Sequence, residues 1–190
     1  MSRPVVAYLQ ERFPFRVFGP ATLLLLALAA LSIEAPQPGR GLVMAVLVVL
    51  LVLQFRLWDD LEDRDRDARD HPERVIVRLP PGQFWQALAV LSFVNIGLAL
   101  ASRERWALIG LLALDVAAVA AYRWLRAYVG EALWSRGILL AKYPAIVAIA
   151  ALAGGTVSRP RLAAACLAAF AIAHVYERAH TRAELPGASR

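Results

Sequence analysis

Six apolar stretches dominate the sequence, and each approaches the roughly 20 mostly apolar residues that a helix needs to cross a membrane. Segments rich in proline, glycine and charge separate them. Because backbone polar groups must be paired internally within lipid, we expect the stretches to be helical. The prediction is an all-α, polytopic membrane helical bundle of about six transmembrane helices, forming a single integral membrane domain over residues 1–190. The predicted spans are about 14–33, 42–57, 83–101, 106–122, 138–156 and 162–176.

The composition supports this class of protein and argues against others. Hydrophobic residues make up 59% of the chain and charged residues only 19%, whereas a soluble domain is about half apolar and about a quarter charged. An ordinary cytosolic enzyme and a disordered protein are therefore both poor fits. The single cysteine, Cys166, has no partner within the chain, so a secreted disulfide scaffold is excluded as well.

The basic residues predict how the bundle is oriented. If the N-terminus is cytoplasmic, 16 of the 21 basic residues fall in cytoplasmic segments, which is the bias that the positive-inside rule describes. Both termini are therefore predicted to be cytoplasmic. The net charge of +6 reflects this topology, so we expect membrane lipids and no nucleic acid as partners. The predicted location is a bacterial or archaeal inner (cytoplasmic) membrane.

The acidic residues are concentrated just after the second stretch, in a cytoplasmic segment over residues 58–80. Eight of the 15 acidic residues lie between Asp59 and Glu73. If the second helix continues, its step of about 100° per residue places five aspartates on one arc, with Arg56 below them and Arg64 beside them. These aspartates are Asp59, Asp60, Asp63, Asp67 and Asp70.

Two interpretations of this acidic face are open. Oxygen-only ligands at a membrane surface suit Mg²⁺, which keeps several waters and bridges to substrate phosphates. The face would then be a Mg²⁺–diphosphate site. A mixed charge run in a solvated cytoplasmic loop would give a similar pattern, although the selection of aspartate on one face favours the metal.

The spacing Asp59-Asp60-x-x-Asp63-x-x-x-Asp67 resembles the first aspartate-rich motif of the UbiA superfamily of intramembrane prenyltransferases. In that family the motif also follows the second span on the cytoplasmic side. The next segment, His-Pro-Glu-Arg at 71–74, resembles the proline-and-arginine stretch that leads into the family's third span.

The resemblance covers about residues 10–180 and implies what the chain does. It implies a helical bundle around a cavity in which Mg²⁺ holds the diphosphate of a prenyl donor. Ionisation of the donor would give a carbocation-like species, which a lipid-soluble acceptor attacks. Asp60, Asp63 and Asp67 would be the catalytic, Mg²⁺-binding aspartates, with Asp59 as a further metal contact. Aromatic and apolar walls would shield the cation, and basic residues would steady the diphosphate.

Basic and aromatic residues near the motif are the candidates for binding this diphosphate. Arg56 and Arg64 share the aspartate face, and Tyr122 and Arg123 end the fourth stretch on the same side. Lys142, the only lysine, lies early in the fifth stretch. Each of the last three has an alternative role as an anchor at the membrane interface, which Tyr, Arg and Lys commonly fill.

The sequence departs from the family at its second motif. UbiA members usually have about nine spans and a second aspartate-rich motif after the sixth. At that position Glu177 shares an arc of roughly 120° with His174, His180 and Glu184, which is either a weakened second metal face or a solvated helix end. Three interpretations remain: a compact enzyme with one strong metal site, half of a site completed in a homo- or hetero-oligomer, and a non-catalytic subunit or scaffold.

Asp115 is the one acidic residue inside a predicted span. An ionisable residue within the membrane usually faces the bundle interior or water and indicates a functional site. The alternative is that it pairs with a basic residue near the membrane edge.

Overall fold

The computed structural model describes residues 3–129 and 137–183, and within them the chain is almost entirely helical. Two short strands and two single 3-10 turns, Leu125–Ala127 and Leu139–Ala141, complete the described elements. The elements are α1 (Arg3–Arg12), α2 (Phe15–Leu31), β1 (Ile33–Pro36), α3 (Arg40–Glu62), α4 (Arg64–Asp70), α5 (Val75–Arg78), α6 (Pro81–Ala101), α7 (Arg105–Arg123), α8 (Lys142–Gly154), β2 (Gly155–Val157) and α9 (Arg159–Ala183).

Four of the described helices, α3, α6, α7 and α9, are long and apolar enough to cross a membrane. Helices α1 and α2 would add a fifth span only as a pair bent by 80°, at a break where Pro14 precedes α2. The fifth predicted span corresponds to a shorter apolar helical segment, Leu139–Gly154. The predicted helical class is therefore confirmed, with four or five helices of sufficient length.

The strands β1 and β2 were not expected in an all-α chain. They pair antiparallel where α2 and α8 end, with Ile33 opposite Val157 and Pro36 opposite Gly155. A Cβ on Gly155 would lie 2.4 Å from the carbonyl oxygen of Ala35, so only glycine allows the strands to approach this closely. A strand is predicted from alternating polar and apolar residues, and these strands have too few residues to show that alternation.

Helix α3 lies at the centre of the bundle, between α6 and α8, and α8 also packs on α2, α7 and α9. Both central helices contribute fully buried apolar side chains, such as Leu47 and Leu51 of α3 and Ile146 and Ala150 of α8. Helix α3 also extends beyond the predicted end of the second span, which carries the first aspartates into the folded bundle.

The outer faces of the helices are apolar. Phe93 of α6, Val116 of α7 and Leu167 of α9 are 73%, 69% and 72% exposed, whereas Gln54 and Asn95 are fully buried. Extended apolar surfaces are uncommon on proteins surrounded by water, and polar groups of membrane bundles face the interior. This distribution suits a bundle surrounded by lipid.

Candidate functional site

The aspartate cluster, Asp59, Asp60, Asp63 and Asp67, lies where α3 passes into α4. The peptide N–H of Asp63 donates to the carbonyl of Asp59 at 2.9 Å, so the helical spacing continues across the junction. As the periodicity predicts, Asp60 and Asp67 are buried, and Asp59 and Asp63 are half-buried. Asp70 differs from the prediction: it is exposed, because α4 ends there and the chain turns away.

Asp60 is the most enclosed carboxylate of the cluster, and cations or phenol donors occupy both of its oxygens. The Tyr8 hydroxyl donates to Oδ2 at 2.9 Å, and Arg12 donates to Oδ2 at 3.1 Å and to Oδ1 at 2.8 Å. Arg56 adds an ion pair to Oδ1 at 3.1 Å. Burial and the neighbouring carboxylate raise the pKa of Tyr8, and the hydrogen bond to Asp60 raises the pKa of Arg12. Through these hydrogen bonds Asp60 links α1 to α3.

Asp59 and Asp63 pair with residues of α7, of the 3-10 turn that follows it and of α8. The Tyr122 hydroxyl of α7 donates to Asp59 Oδ1, and the Lys142 ammonium at the start of α8 donates to Asp59 Oδ2. Arg126, in the 3-10 turn after α7, donates to Asp63 Oδ1. Tyr122 and Lys142 were predicted to lie near the motif, and the structure brings both directly onto it.

Asp67 and Arg64 hold the segment that follows α4. Arg74 donates to Asp67 Oδ1 at 2.5 Å, while Asp67 Oδ2 is buried without a hydrogen-bond partner in the described structure. Arg64 donates to the backbone carbonyls of Ile76 and Val77 at 2.9 and 3.0 Å. Arg64 therefore contacts the backbone of α5, and its predicted role with a diphosphate remains a prediction.

Two predicted site residues lie on other elements than the cluster: Arg123 ends α7, and Glu177 is on α9. Arg123 is exposed, and no ion pair joins it to the described residues. Glu177 is half-buried on α9, but His180 and Glu184 fall outside the residues whose side chains the structure describes. Among the described residues, no group of three or more Asp, Glu, His or Cys side chains is arranged to hold a metal ion. The metal assignments, including that of Glu177, therefore remain predictions.

The charges of the site nearly balance. Four carboxylates and five cations form its ion pairs in the described part of the chain. A Mg²⁺ ion alone would have to compete with these cations for the carboxylates. In a complex of an anion with Mg²⁺, the anion could pair with the cations and the Mg²⁺ with the carboxylates. The five cations are Arg12, Arg56, Arg74, Arg126 and Lys142.

An aromatic row extends from the cluster into the bundle. The ring of Trp58 stacks on Tyr122 with centroids 6.0 Å apart, and on Phe55 with centroids 5.9 Å apart. The Tyr122 hydroxyl bonds to Asp59, so one end of the row is polar and the other lies in the apolar core. Phe55 and Trp58 are 2% and 7% exposed, so both rings are packed against other side chains of the bundle.

Sequence reasoning missed the contribution of Tyr8 and Arg12. Their spacing of four residues on the helix before the first span was the only local signal, since it places both side chains on one face.

No family model, curated protein or solved structure matches the chain. A function for it must therefore be argued from its own residues and contacts. The aspartate cluster, its cations and the aromatic row are the contacts from which a function is proposed below.

Proposed function

We propose that this protein is a UbiA-like integral membrane prenyltransferase with about six spans and both termini in the cytoplasm. It binds a prenyl diphosphate together with Mg²⁺ at the aspartate cluster and transfers the prenyl group to a lipid-soluble acceptor. The observation that carries the proposal is the convergence of basic and phenolic groups from separate elements on the aspartate motif. We place the cluster on the cytoplasmic face of a bacterial or archaeal inner membrane.

The chemistry of the cluster fits Mg²⁺ when a phosphate accompanies it. Mg²⁺ is usually held by one or two carboxylates plus substrate phosphates and not by an all-protein cage, so a preformed group of three acidic ligands is not required. Asp63 and Asp67 would hold the ion, because each uses only one oxygen for its arginine partner and Asp67 Oδ2 is buried and unpaired. When bound, Mg²⁺ would neutralise the negative charge of the departing diphosphate.

The basic residues would change partners when the diphosphate binds. Lys142 and Arg126 are held against the aspartates, and a diphosphate placed among them offers oxygens with higher charge density. Arginine can bind such oxygens through two parallel hydrogen bonds, and lysine acts as a point charge. Because these side chains are already positioned, little ordering would be needed when the donor binds.

The aromatic row would receive the prenyl chain. Phe55 and Trp58 lie beside Asp59 and are covered by protein, so the helices around them would separate when the prenyl chain enters. A chain on their faces would then place its diphosphate at the cluster. Aromatic faces carry negative charge density and attract cations, which would stabilise positive charge developing on the allylic carbon.

A second candidate is a non-catalytic membrane subunit or scaffold, including one that completes its site with a partner chain. The pairing of each cluster aspartate with a basic or phenolic group favours it, because such a network stabilises a fold without any ligand. The two candidates differ in whether the isolated chain binds the donor.

Calorimetric titration of Mg²⁺ into the purified protein in detergent tests the proposal. We expect binding with a non-hydrolysable prenyl diphosphate analogue present and weak binding without it. Asp63→Asn should weaken Mg²⁺ binding by at least about 10-fold. Asp65→Asn is the matched control, because Asp65 is exposed two residues away, and it should behave like the wild type. Absence of binding to the wild type, or equal binding by the two variants, would contradict the proposal.

A further inference from the structure

A surface cavity of about 290 Å³ lies at the end of the bundle opposite to the aspartate cluster. The turn between β1 and α3, the start of α7, the end of α8 and strand β2 all line it, and we call it the strand cavity. Binding pockets for small molecules begin at roughly 300 Å³, so the strand cavity has room for one small polar group. Its lining includes Gln37, Arg40, Glu104, Trp106 and Thr156.

The strand cavity lies at the depth of lipid headgroups. Arg40 begins α3, and Asp59 follows it by nineteen residues, which is about 29 Å along the helix axis. The hydrocarbon core of a bilayer is about 30 Å thick. With the aspartate cluster at one membrane surface, the strand cavity is therefore at the other surface. Trp106, which is 54% exposed, suits this depth because tryptophan is enriched where the bilayer meets water.

A cation and an anion line the strand cavity from different elements. Arg40 and Glu104 are both half-buried, and no ion pair joins them in the described part of the chain. Glu104 is the N-cap of α7, where its Oε1 accepts a hydrogen bond from the peptide N–H of Trp106 at 3.4 Å. The peptide N–H of Arg40 donates to the carbonyl of Gln37 at 3.1 Å. The backbone therefore holds the two charged residues on separate walls of one cavity.

This pair of opposite charges defines the class of ligand. Glu104 would repel a purely anionic ligand, and Arg40 would repel a purely cationic one. A zwitterion can pair with both, because arginine binds phosphate through two parallel hydrogen bonds and a carboxylate accepts from an ammonium group. At headgroup depth the zwitterions are phospholipids. The ammonium of phosphatidylethanolamine has N–H groups to donate, whereas that of phosphatidylcholine is fully methylated and has none.

We propose that the strand cavity binds the headgroup of a phospholipid that carries a primary ammonium group, as in phosphatidylethanolamine. Its phosphate pairs with Arg40 and its ammonium donates to Glu104, while the exposed hydroxyl of Thr156 can donate to the phosphate. The acyl chains lie along the outer face of α7, where Ile109 follows Trp106 by about one turn and is 49% exposed. The site needs neither Mg²⁺ nor a diphosphate, so it does not depend on the proposed function.

Competition between lipids, measured by native mass spectrometry of the purified protein, tests this proposal. The detergent micelles contain equal amounts of phosphatidylethanolamine, phosphatidylcholine and phosphatidylglycerol with the same acyl chains, and bound lipids are distinguished by mass. We expect phosphatidylethanolamine to be retained about 10-fold more than either competitor, because only its ammonium can donate a hydrogen bond to Glu104. Equal retention of phosphatidylethanolamine and either competitor would overturn the proposal.

A soluble form of the same headgroup separates a lipid from a water-soluble ligand. Glycerophosphoethanolamine carries the phosphate and the ammonium but no acyl chains. We expect it to displace little bound phosphatidylethanolamine at the concentration at which the unlabelled lipid displaces an isotope-labelled one. Equal displacement by the two would overturn the assignment to a membrane lipid.

Substitutions show whether the strand cavity is the source of the preference. Glu104→Gln keeps an oxygen that can accept from Trp106 but removes the charge, so the preference for phosphatidylethanolamine should disappear. Glu34→Gln, on β1 and exposed outside the cavity, is the matched control and should retain it. Arg40→Gln should lower the retention of phosphatidylethanolamine and phosphatidylcholine alike, because both carry a phosphate. A preference that persists in folded Glu104→Gln would also overturn the proposal; if that variant does not fold, the competition on the wild type decides alone.

Discussion

The attachment of α1 to the aspartate cluster can be tested by removing the charge of one buried carboxylate. In Asp60→Asn the side chain keeps its shape, but Arg12 and Arg56 lose the negative charge that neutralises them. The side chains of Asp60 and Arg12 are only 5% and 18% exposed, so water can replace little of the lost interaction. Arg56 is 31% exposed and can turn to solvent more readily.

The expected loss follows from this burial. Removing one partner of a buried ion pair costs about 3–5 kcal/mol, and the partial exposure of Arg56 favours the lower end of that range. A loss of about 3 kcal/mol raises the population in which α1 is detached by roughly 100-fold. Since α1 contacts the rest of the protein mainly through this cluster, α5 and α6, the detachment should be local.

Limited trypsin digestion measures the detachment, because trypsin cleaves after Arg12. When opening is fast relative to cleavage, the cleavage rate follows the population of the open form. Asp60→Asn should therefore be cleaved after Arg12 on the order of 100 times faster than the wild type. Asp65→Asn, which changes an exposed aspartate on α4, should not be. Equal rates for the two variants would refute the argument that Asp60 fastens α1.

Two further predictions concern Tyr8 and the strand pair. Burial raises the pKa of Tyr8, so the folded protein retains a proton that the unfolded chain loses near pH 10, and stability should fall as the pH rises above about 10. Tyr8→Phe should lower the free energy of unfolding at neutral pH by about 1 kcal/mol, and it should lose less stability than the wild type above pH 10. An unfolding midpoint that depends on pH identically in the two proteins would contradict this prediction. Gly155→Ala should cost about 1–3 kcal/mol, because its Cβ would meet the carbonyl oxygen of Ala35 at 2.4 Å. Gly41→Ala, with open space around it, should be neutral or stabilising by up to about 1 kcal/mol in the same unfolding assay.

The inward aspartate face could be predicted from the sequence because it depends on local geometry. Asp60 and Asp67 are seven residues apart, which is close to two helical turns, so they share a face wherever the helix continues. Hydropathy placed the end of the second span at Leu57, and the helix itself continues beyond that residue. The backbone stays helical through Glu62, since the charged side chains of this turn find partners instead of breaking the helix.

The partners of these aspartates could not be predicted in the same way. Tyr8, Tyr122 and Lys142 lie 52, 63 and 83 residues from the aspartates they contact. These contacts exist only because the chain bends by 80° after α1 and because α8 packs against α3 and α7. Nothing local in the sequence fixes either arrangement.

The basic partners of the aspartates were also hard to predict because their positive charge already had another explanation. Most basic residues were accounted for by the orientation of the bundle in the membrane, and only Arg56, Arg64, Arg123 and Lys142 were predicted to lie near the acidic cluster. The structure shows that Arg12, Arg74, Arg126 and Lys142 pair with aspartates of the cluster. Basic residues that the positive-inside rule assigns to one side of the membrane can therefore also pair with carboxylates inside the fold.

The central claim is that the aspartate cluster handles a prenyl diphosphate, and release of diphosphate by the purified chain tests it most directly. The assay supplies a long-chain allylic diphosphate, Mg²⁺ and a mixture of lipid-soluble acceptors, with the protein monomeric in detergent. We predict Mg²⁺-dependent release that Asp63→Ala lowers by orders of magnitude while thermal stability is retained, and that Asp65→Asn leaves unchanged. Release that is equally fast in Asp63→Ala, or folded wild-type protein that neither binds nor consumes the donor, would contradict the account.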